Sequence, residues 1–144
     1  DLDYIHSVER ISKLSNVISI NGGVQLDLMG QENAESTGTR QLSGIGGQMD
    51  FLEGAYRSKG GKGFICINSS RVTKDGERKS NILATVPGGS TISAPRTMIQ
   101  YVATEYGIAS LSGKTLRERA EAMASIAHPD FREELMKYAR ENFK

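Results

Sequence analysis

The hydrophobic period changes along the chain, and that change restricts the fold more than any other feature. Ile5, Val8, Ile11 and Leu14 recur every third residue and predict a short helix over residues 3–14, ended by Ser15-Asn16. Residues 17–20 and 24–29 then read as strands around Asn21-Gly22-Gly23, a turn that predicts a hairpin. Residues 30–42 lack either period and read as a loop with a short strand at its end, and residues 49–56 begin a helix. A flexible connection at 58–63 leads into an apolar strand at 64–67. Residues 71–80 form a charged excursion turning at Lys74-Asp75-Gly76, and strands at 81–86 and 90–93 flank Pro87-Gly88-Gly89. The β-prone run 101–105 stops before Gly107.

The last third is helical. Thr115 and Glu118 have capping-box spacing, and Leu116, Ala120, Met123 and Ala127 line one face. His128-Pro129-Asp130 breaks the pattern, with His128 expected to cap or link the two helices. Phe131, Leu135, Tyr138 and Ala139 carry a second helix, with Lys137, Arg140 and Lys144 toward its C-terminal end. Strands followed by helices, without repeats or an internal linker, predict the α/β class: an open sheet with flanking helices, in one domain over residues 1–144.

Composition narrows the function. With 144 residues, 38% of them hydrophobic, the chain is long enough for a core. Its 18 Lys+Arg against 17 Asp+Glu argue against a nucleic-acid partner, whose footprint needs a large basic excess. No apolar run approaches the roughly 20 residues of a membrane span. The single cysteine, Cys66, rules out an internal disulfide framework, suits a reducing compartment, and is expected to be buried and inert within its strand. Cys66, His6 and His128 lie too far apart in sequence for a zinc motif, so no metal site is expected. No Ser-His-Asp pattern, Walker loop or nucleophile elbow is present.

Three features can carry chemistry. Ser43-Gly44-Ile45-Gly46-Gly47-Gln48 frees the backbone, and a helix starting at Gln48 places the amides of Gly46 and Gly47 at its positive end. Such a nest holds a phosphate or an oxyanion; a plain tight turn with close helix packing fits the same residues. Residues 57–79 hold seven basic side chains, Lys74 among them, against two acidic ones, which fits either nucleotide phosphates or a solvated loop. Glu105, in Thr104-Glu105-Tyr106-Gly107, sits at a strand end where open α/β sheets place site residues, and equally fits an exposed turn or a structural ion pair.

Five segments, in order, resemble the acetyl-CoA hydrolase/transferase family, in particular the 4-hydroxybutyrate and butyryl-CoA:acetate CoA-transferases. They are SINGGVQLDLMGQ (19–31), SGIGGQMDFLEGA (43–55), SKGGK (58–62), YVATEYGIASLSGKTLRERA (101–120) and IAHPDFREEL (126–135). The resemblance is to the C-terminal part of proteins about three times this long, built from two similar open α/β domains with the active site between them. It implies that the chain is part of the C-terminal domain and that Asp1 is not a biological start.

The implied activity is ping-pong transfer of CoA between short-chain carboxylic acids through a glutamyl-CoA thioester, with acyl-CoA hydrolysis and non-catalytic CoA binding as alternatives. The nucleophilic glutamate lies upstream of this region, so none is assigned here and the chain alone is expected to be catalytically incomplete. By resemblance Gly47, with Gly46 beside it, stabilises the oxyanion, Lys74 contacts CoA, and Glu105 organises hydrogen bonds near the active site. The implied partners are acyl-CoA and carboxylate substrates, the N-terminal remainder of the polypeptide and further copies of the protein in a cytoplasmic, bacterial-type enzyme, with no tightly bound cofactor. Ser93-Ala94-Pro95-Arg96-Thr97 and Ala109-Ser110-Leu111-Ser112-Gly113 depart from the family pattern, which bears on substrate detail.

Overall fold

Three segments remote in sequence align in parallel and organise the molecule. The structure is a computed structural model that describes residues 1–143; the cation expected at Lys144 lies outside the described residues. Along the chain run α1 (Leu2–Ile5), α2 (Val8–Lys13), β1 (Ile18–Gly22), β2 (Gln25–Asp27), β3 (Glu32–Asn33), β4 (Ser36–Thr37), β5 (Arg40–Gln41) and α3 (Gln48–Arg57). There follow β6 (Lys62–Cys66), β7 (Ser70–Val72), β8 (Arg78–Ser80), β9 (Ile82–Leu83), β10 (Tyr101–Thr104), β11 (Gly107–Ser110), α4 (Leu116–Ser125) and α5 (Pro129–Asn142).

The main sheet has the order β1-β6-β10-β11, in which β6 runs parallel to both β1 and β10 while β11 returns antiparallel. A second sheet, β3-β2-β9, and two small hairpins, β4-β5 and β7-β8, grow from the connections. The class is the expected one, a mixed α/β fold with open sheets and flanking helices.

The hairpin expected at Asn21-Gly22-Gly23 does not form. β1 pairs with β6 from Ile18↔Lys62 to Gly22↔Cys66, and β2 pairs with β3 and β9 instead. The cause is burial: Leu26 and Leu28 are fully enclosed, so this run belongs inside the molecule and not on the edge of β1. Gly23 permits the passage, because a Cβ there would press on Ile65, Ile67 and the Glu32 carboxyl.

The helix expected over residues 3–14 is two short helices. The Ser7 hydroxyl accepts from the Arg10 amide and restarts the helix at Val8, so of the apolar stripe only Ile11 is buried, while Ile5 and Leu14 are exposed. Strand structure within 81–86 is limited to β9, and 90–93 is irregular, with only Ala94 bridging to Glu32. The link at 58–63 is tightly held. The Ser58 hydroxyl donates to the Leu14 carbonyl and accepts from the Val17 amide, and a Cβ at Gly61 would collide with the Ala55 carbonyl.

Side-chain alternation sorts the main sheet into two faces. Ser19, Gly63, Ile65, Val102 and Ala109 point inward, with α3 packed on β1 and β6 and α4 on β11. Ile18, Ile20, Phe64, Cys66, Tyr101 and Ile108 share the opposite face, where Ile20 is 70% and Ile108 63% exposed. Cys66 is therefore exposed, against expectation: its parity in β6 is that of Lys62 and Phe64, not of buried Ile65.

The C-terminal helices follow the sequence closely. Both bonds of the Thr115–Glu118 capping box are present, and His128 caps α5 by accepting from the Asp130 amide. Within α4, buried Arg119 donates to the carbonyls of Met29 (2.8 Å), Leu111 (2.8 Å) and Arg96 (2.7 Å), tying three connections to one helix. Gly30, at φ +86°, leaves the guanidinium its space. Replacing Arg119 with Met, which keeps the stem but removes three charge-assisted hydrogen bonds and orphans the buried Leu111 carbonyl, is expected to lower unfolding free energy in urea by about 3 kcal/mol or more. Arg119→Lys should recover only part of this, since one ammonium cannot span three carbonyls; a loss within about 0.5 kcal/mol for Arg119→Met would contradict the role.

Candidate active site

Parallel pairing brings the C-terminal ends of β1, β6 and β10 to one side of the sheet, the usual location of ligand sites in open α/β folds. A cleft of about 450 Å³ opens there, lined by Gly23, Cys66, Ile67, Asn68, Ala103 and Thr104. Glu105 leaves β10 at its rim. Buried Ser69 holds both carboxylate oxygens of Glu105, its amide donating to Oε2 (2.9 Å) and its hydroxyl to Oε1 (2.6 Å). Burial alone would raise this carboxyl; the Ser69 bonds, the residue's own amide and the nearby His128 outweigh it and hold the group below the ordinary carboxylate range. At neutral pH Glu105 is thus an ionised acceptor that ties β10 to the segment following β6. Thr104 anchors the same turn, donating to the Ile126 carbonyl (2.7 Å) and accepting from the Tyr106 amide (3.1 Å).

The glycine-rich loop lies between β5 and α3 and is tethered at both ends. At its start, the Glu35 carbonyl accepts from the amides of Leu42 and Ser43. At its end, the Gln48 side-chain amide donates to Oε2 of Glu32. Gly46 is exposed at φ +59°, a conformation natural to glycine, and Gly47 is the N-cap of the ten-residue α3. The amides of Gly46 and Gly47 donate to no acceptor among the described residues, so two free donors stand at the positive end of a helix. His6 lies directly against Gly47, where any Cβ would strike the imidazole, and its Nδ1 is 3.3 Å from the Asp50 carboxylate.

Glu32 connects this loop to the strand ends. It is fully buried, and its Oε1 would be 2.7 Å from a Cβ at Gly23, the residue that lines the cleft. Burial pushes its carboxyl up to about 8, against the opposing effect of the Gln48 bond and with a small addition from the Glu35 charge.

Of the residues singled out in the sequence, Gly46 and Gly47 form one loop and Glu105 guards the cleft. Lys74 stands apart at the exposed tip of the β7-β8 hairpin, which leaves the main fold at Ser70, next to Ser69. Among the described residues no hydrogen bond or ion pair joins Lys74 to the glycine loop or to Glu105. Glu32, His6 and Ser69 were not legible as site residues. Glu32 sits in a polar stretch without periodicity, and both His6 and Ser69 act through contacts distant in sequence. No cluster of His, Cys, Asp and Glu among the described residues is arranged to hold a metal ion, and no described helix is long and apolar enough to cross a membrane.

The acetyl-CoA hydrolase/transferase C-terminal domain matches residues 1–139. The butyryl-CoA:acetate CoA-transferase of Anaerostipes caccae is 47% identical over 138 residues, covering 96% of this chain and 31% of that protein. The 4-hydroxybutyrate coenzyme A transferase of Clostridium kluyveri is 47% identical over 142 residues, 99% of this chain and 32% of that protein. The crystal structure of RipA from Yersinia pestis superposes with a TM-score of 0.84 at 39% identity, over 96% of this chain and 30% of that one. The chain spans about a third of the length of the curated relatives it matches. It belongs to the acetyl-CoA hydrolase/transferase family, matching the family's C-terminal domain.

Proposed function

We propose that this chain is the C-terminal part of a CoA-transferase that moves CoA between short-chain carboxylic acids of the 4-hydroxybutyrate, butyrate and acetate type. Its contribution is to stabilise the oxyanions formed at thioester carbonyls. The observation that carries this reading is the pair of unengaged amides at Gly46 and Gly47, held at the start of α3 by tethers on both sides.

In the proposed cycle a glutamate carboxylate outside this chain attacks the acyl-CoA carbonyl, and the CoA thiolate leaves to give an acyl-glutamyl anhydride. The thiolate then attacks the glutamyl carbonyl, releasing the first carboxylate and leaving a glutamyl-CoA thioester. The incoming carboxylate runs the same steps in reverse. Each addition places negative charge on a carbonyl oxygen, which is the charge that fixed amide donors at a helix N-terminus favour.

Glu105, ionised and held by Ser69, keeps the turn after β10 and the segment after β6 together at the cleft. Lys74, at the tip of the basic hairpin, offers a solvated cation to the CoA phosphates from the same side of the sheet. The uncovered apolar face carrying Ile18, Ile20, Phe64, Tyr101 and Ile108 supports a larger protein. Sheets with parallel strands are normally covered on both faces, and the remainder of the polypeptide is the proposed cover. A homo-oligomeric enzyme acting in the cytoplasm, where the Cys66 thiol would stay reduced, completes the proposal.

Two measurements on the full-length protein test it. Treatment with acyl-CoA followed by borohydride should convert one glutamate outside these 144 residues to its reduced alcohol, located by peptide mass mapping; a protein that exchanges CoA with every glutamate unmodified contradicts the thioester route. Gly47→Ala, which drives a methyl into His6 and displaces the loop, should lower kcat by about 10²-fold with little change in KM for acyl-CoA. Adding His6→Ala should restore at least about tenfold of that loss. Full activity in Gly47→Ala alone would remove the loop from the mechanism.

A further inference from the structure

Two acidic side chains of the second sheet are wholly enclosed, and they are treated very differently. Asp27 is satisfied: its carboxylate accepts from the Met29 amide (3.0 Å), the Gln31 amide (2.8 Å) and the Gln31 side chain (2.7 Å). Glu32 accepts one side-chain bond, from Gln48 to Oε2, and its Oε1 has no partner among the described residues. Its backbone cannot yield. The Glu32 amide donates to the Ala94 carbonyl (3.0 Å), its carbonyl accepts from the Ser93 amide (2.8 Å), and β3 is paired to β2 opposite Leu26. The free oxygen is directed beneath Gly23, whose side-chain space it shares with Ile65 of β6 and with Ile67 just after that strand. The one carboxyl thus bonds the residue that follows the glycine loop and occupies the side-chain space of Gly23, one of the residues lining the cleft.

We propose that Glu32, as a neutral acid, is the positioning residue of the glycine loop: it fixes Gln48, and through it the first turn of α3, so that the amides of Gly46 and Gly47 keep their place relative to Gly23 and the strand ends. This rests on the reading of those amides as the oxyanion donors. The neutral form is the one the surroundings favour. Around Gly23 stand Ile65 of β6 and Ile67 just after it, from β2 the opposing residue is Leu26, and from α3 comes the uncharged Gln48 amide; the charge nearest in effect is that of Glu35, which is negative. Among the described residues no cation offsets an ionised Glu32, whose carboxyl is raised to about 8 chiefly by burial. Ionisation leaves an unpaired charge among isoleucines, which drives the carboxyl toward water and releases Gln48.

The test uses the full-length protein, with CoA exchange between an acyl-CoA and acetate followed across pH. Wild-type kcat should fall as pH rises through about 8, as the positioning acid ionises. Glu32→Gln, the permanently neutral counterpart, should sit about threefold below wild type at neutral pH and lack that alkaline fall. Glu32→Leu, which leaves the Gln48 amide unmatched, should lose about tenfold in kcat at every pH with KM for acyl-CoA nearly unchanged.

Melting temperatures give an independent readout. Because the folded-state value is raised above the ordinary 4.5, the folded protein holds the proton more tightly, so its stability should decline from about pH 4.5 to about 8 and level off above. Glu32→Gln should remove that component. A retained alkaline fall in Glu32→Gln, or a Glu32→Leu enzyme with wild-type kcat, overturns the proposal; if Glu32→Leu does not fold, the Glu32→Gln profile decides. Failure of the oxyanion reading shows separately, as an active Gly47→Ala enzyme in which the Glu32-dependent melting slope persists.

Discussion

The parallel register of β1, β6 and β10 is the constraint from which the rest of the architecture follows. Parallel neighbours cannot be joined by tight turns, so each crossing requires a long excursion, and every excursion leaves from the same side of the sheet. The segment after β1 supplies β2 and β3 of the second sheet and the glycine loop, the segment after β6 supplies Ser69, the basic hairpin and β9, and β10 delivers Glu105. A site made of backbone amides needs this kind of frame, because no side-chain rotamer can correct a misplaced main chain. The frame is secured where the excursions meet: Arg119 gathers one carbonyl from each of the two crossings and that of Leu111 after β11, and Ser69 joins the segment after β6 to Glu105.

Two glutamates on this frame illustrate how environment divides one side-chain type between two tasks. Glu105 is exposed, accepts two bonds from Ser69 and is held ionised. Glu32 is enclosed, receives one bond and is held neutral into the mildly alkaline range. The first ties strand ends together as an acceptor; the second connects Gln48 to the space under Gly23. Separation of carboxyl behaviour by burial and bonding is a common way for one fold to hold both charged and neutral acids at a single pH.

Legibility from sequence followed the range of the interactions. Local chemistry was readable: the Thr115–Glu118 box, the His128 cap and the helix starting at Gln48 depend on residues within a turn of one another. The family motifs identified the fold and the glycine loop. What failed was pairing over long distances. Asn21-Gly22-Gly23 has the chemistry of a hairpin, yet the partner of β1 lies some 40 residues downstream, and the enclosure of Leu26 decides where β2 goes. Cys66 was misplaced because an apolar tetrapeptide does not reveal which parity faces the helices. Glu32 was invisible because a polar residue in an aperiodic stretch reads as solvated, and only the convergence of β3, α3 and Gly23 encloses it.

The central proposal is that the loop from Gly44 to Gly47 presents two amides to a thioester oxygen. The most direct measurement is a crystal structure of the full-length protein carrying a trapped glutamyl-CoA thioester or an acyl-CoA analogue. The thioester carbonyl oxygen should lie about 2.7–3.1 Å from the amide nitrogens of Gly46 and Gly47, with Gln48 still bonded to Glu32. A thioester carbonyl bound away from the loop, with both loop amides facing solvent, would contradict the proposal.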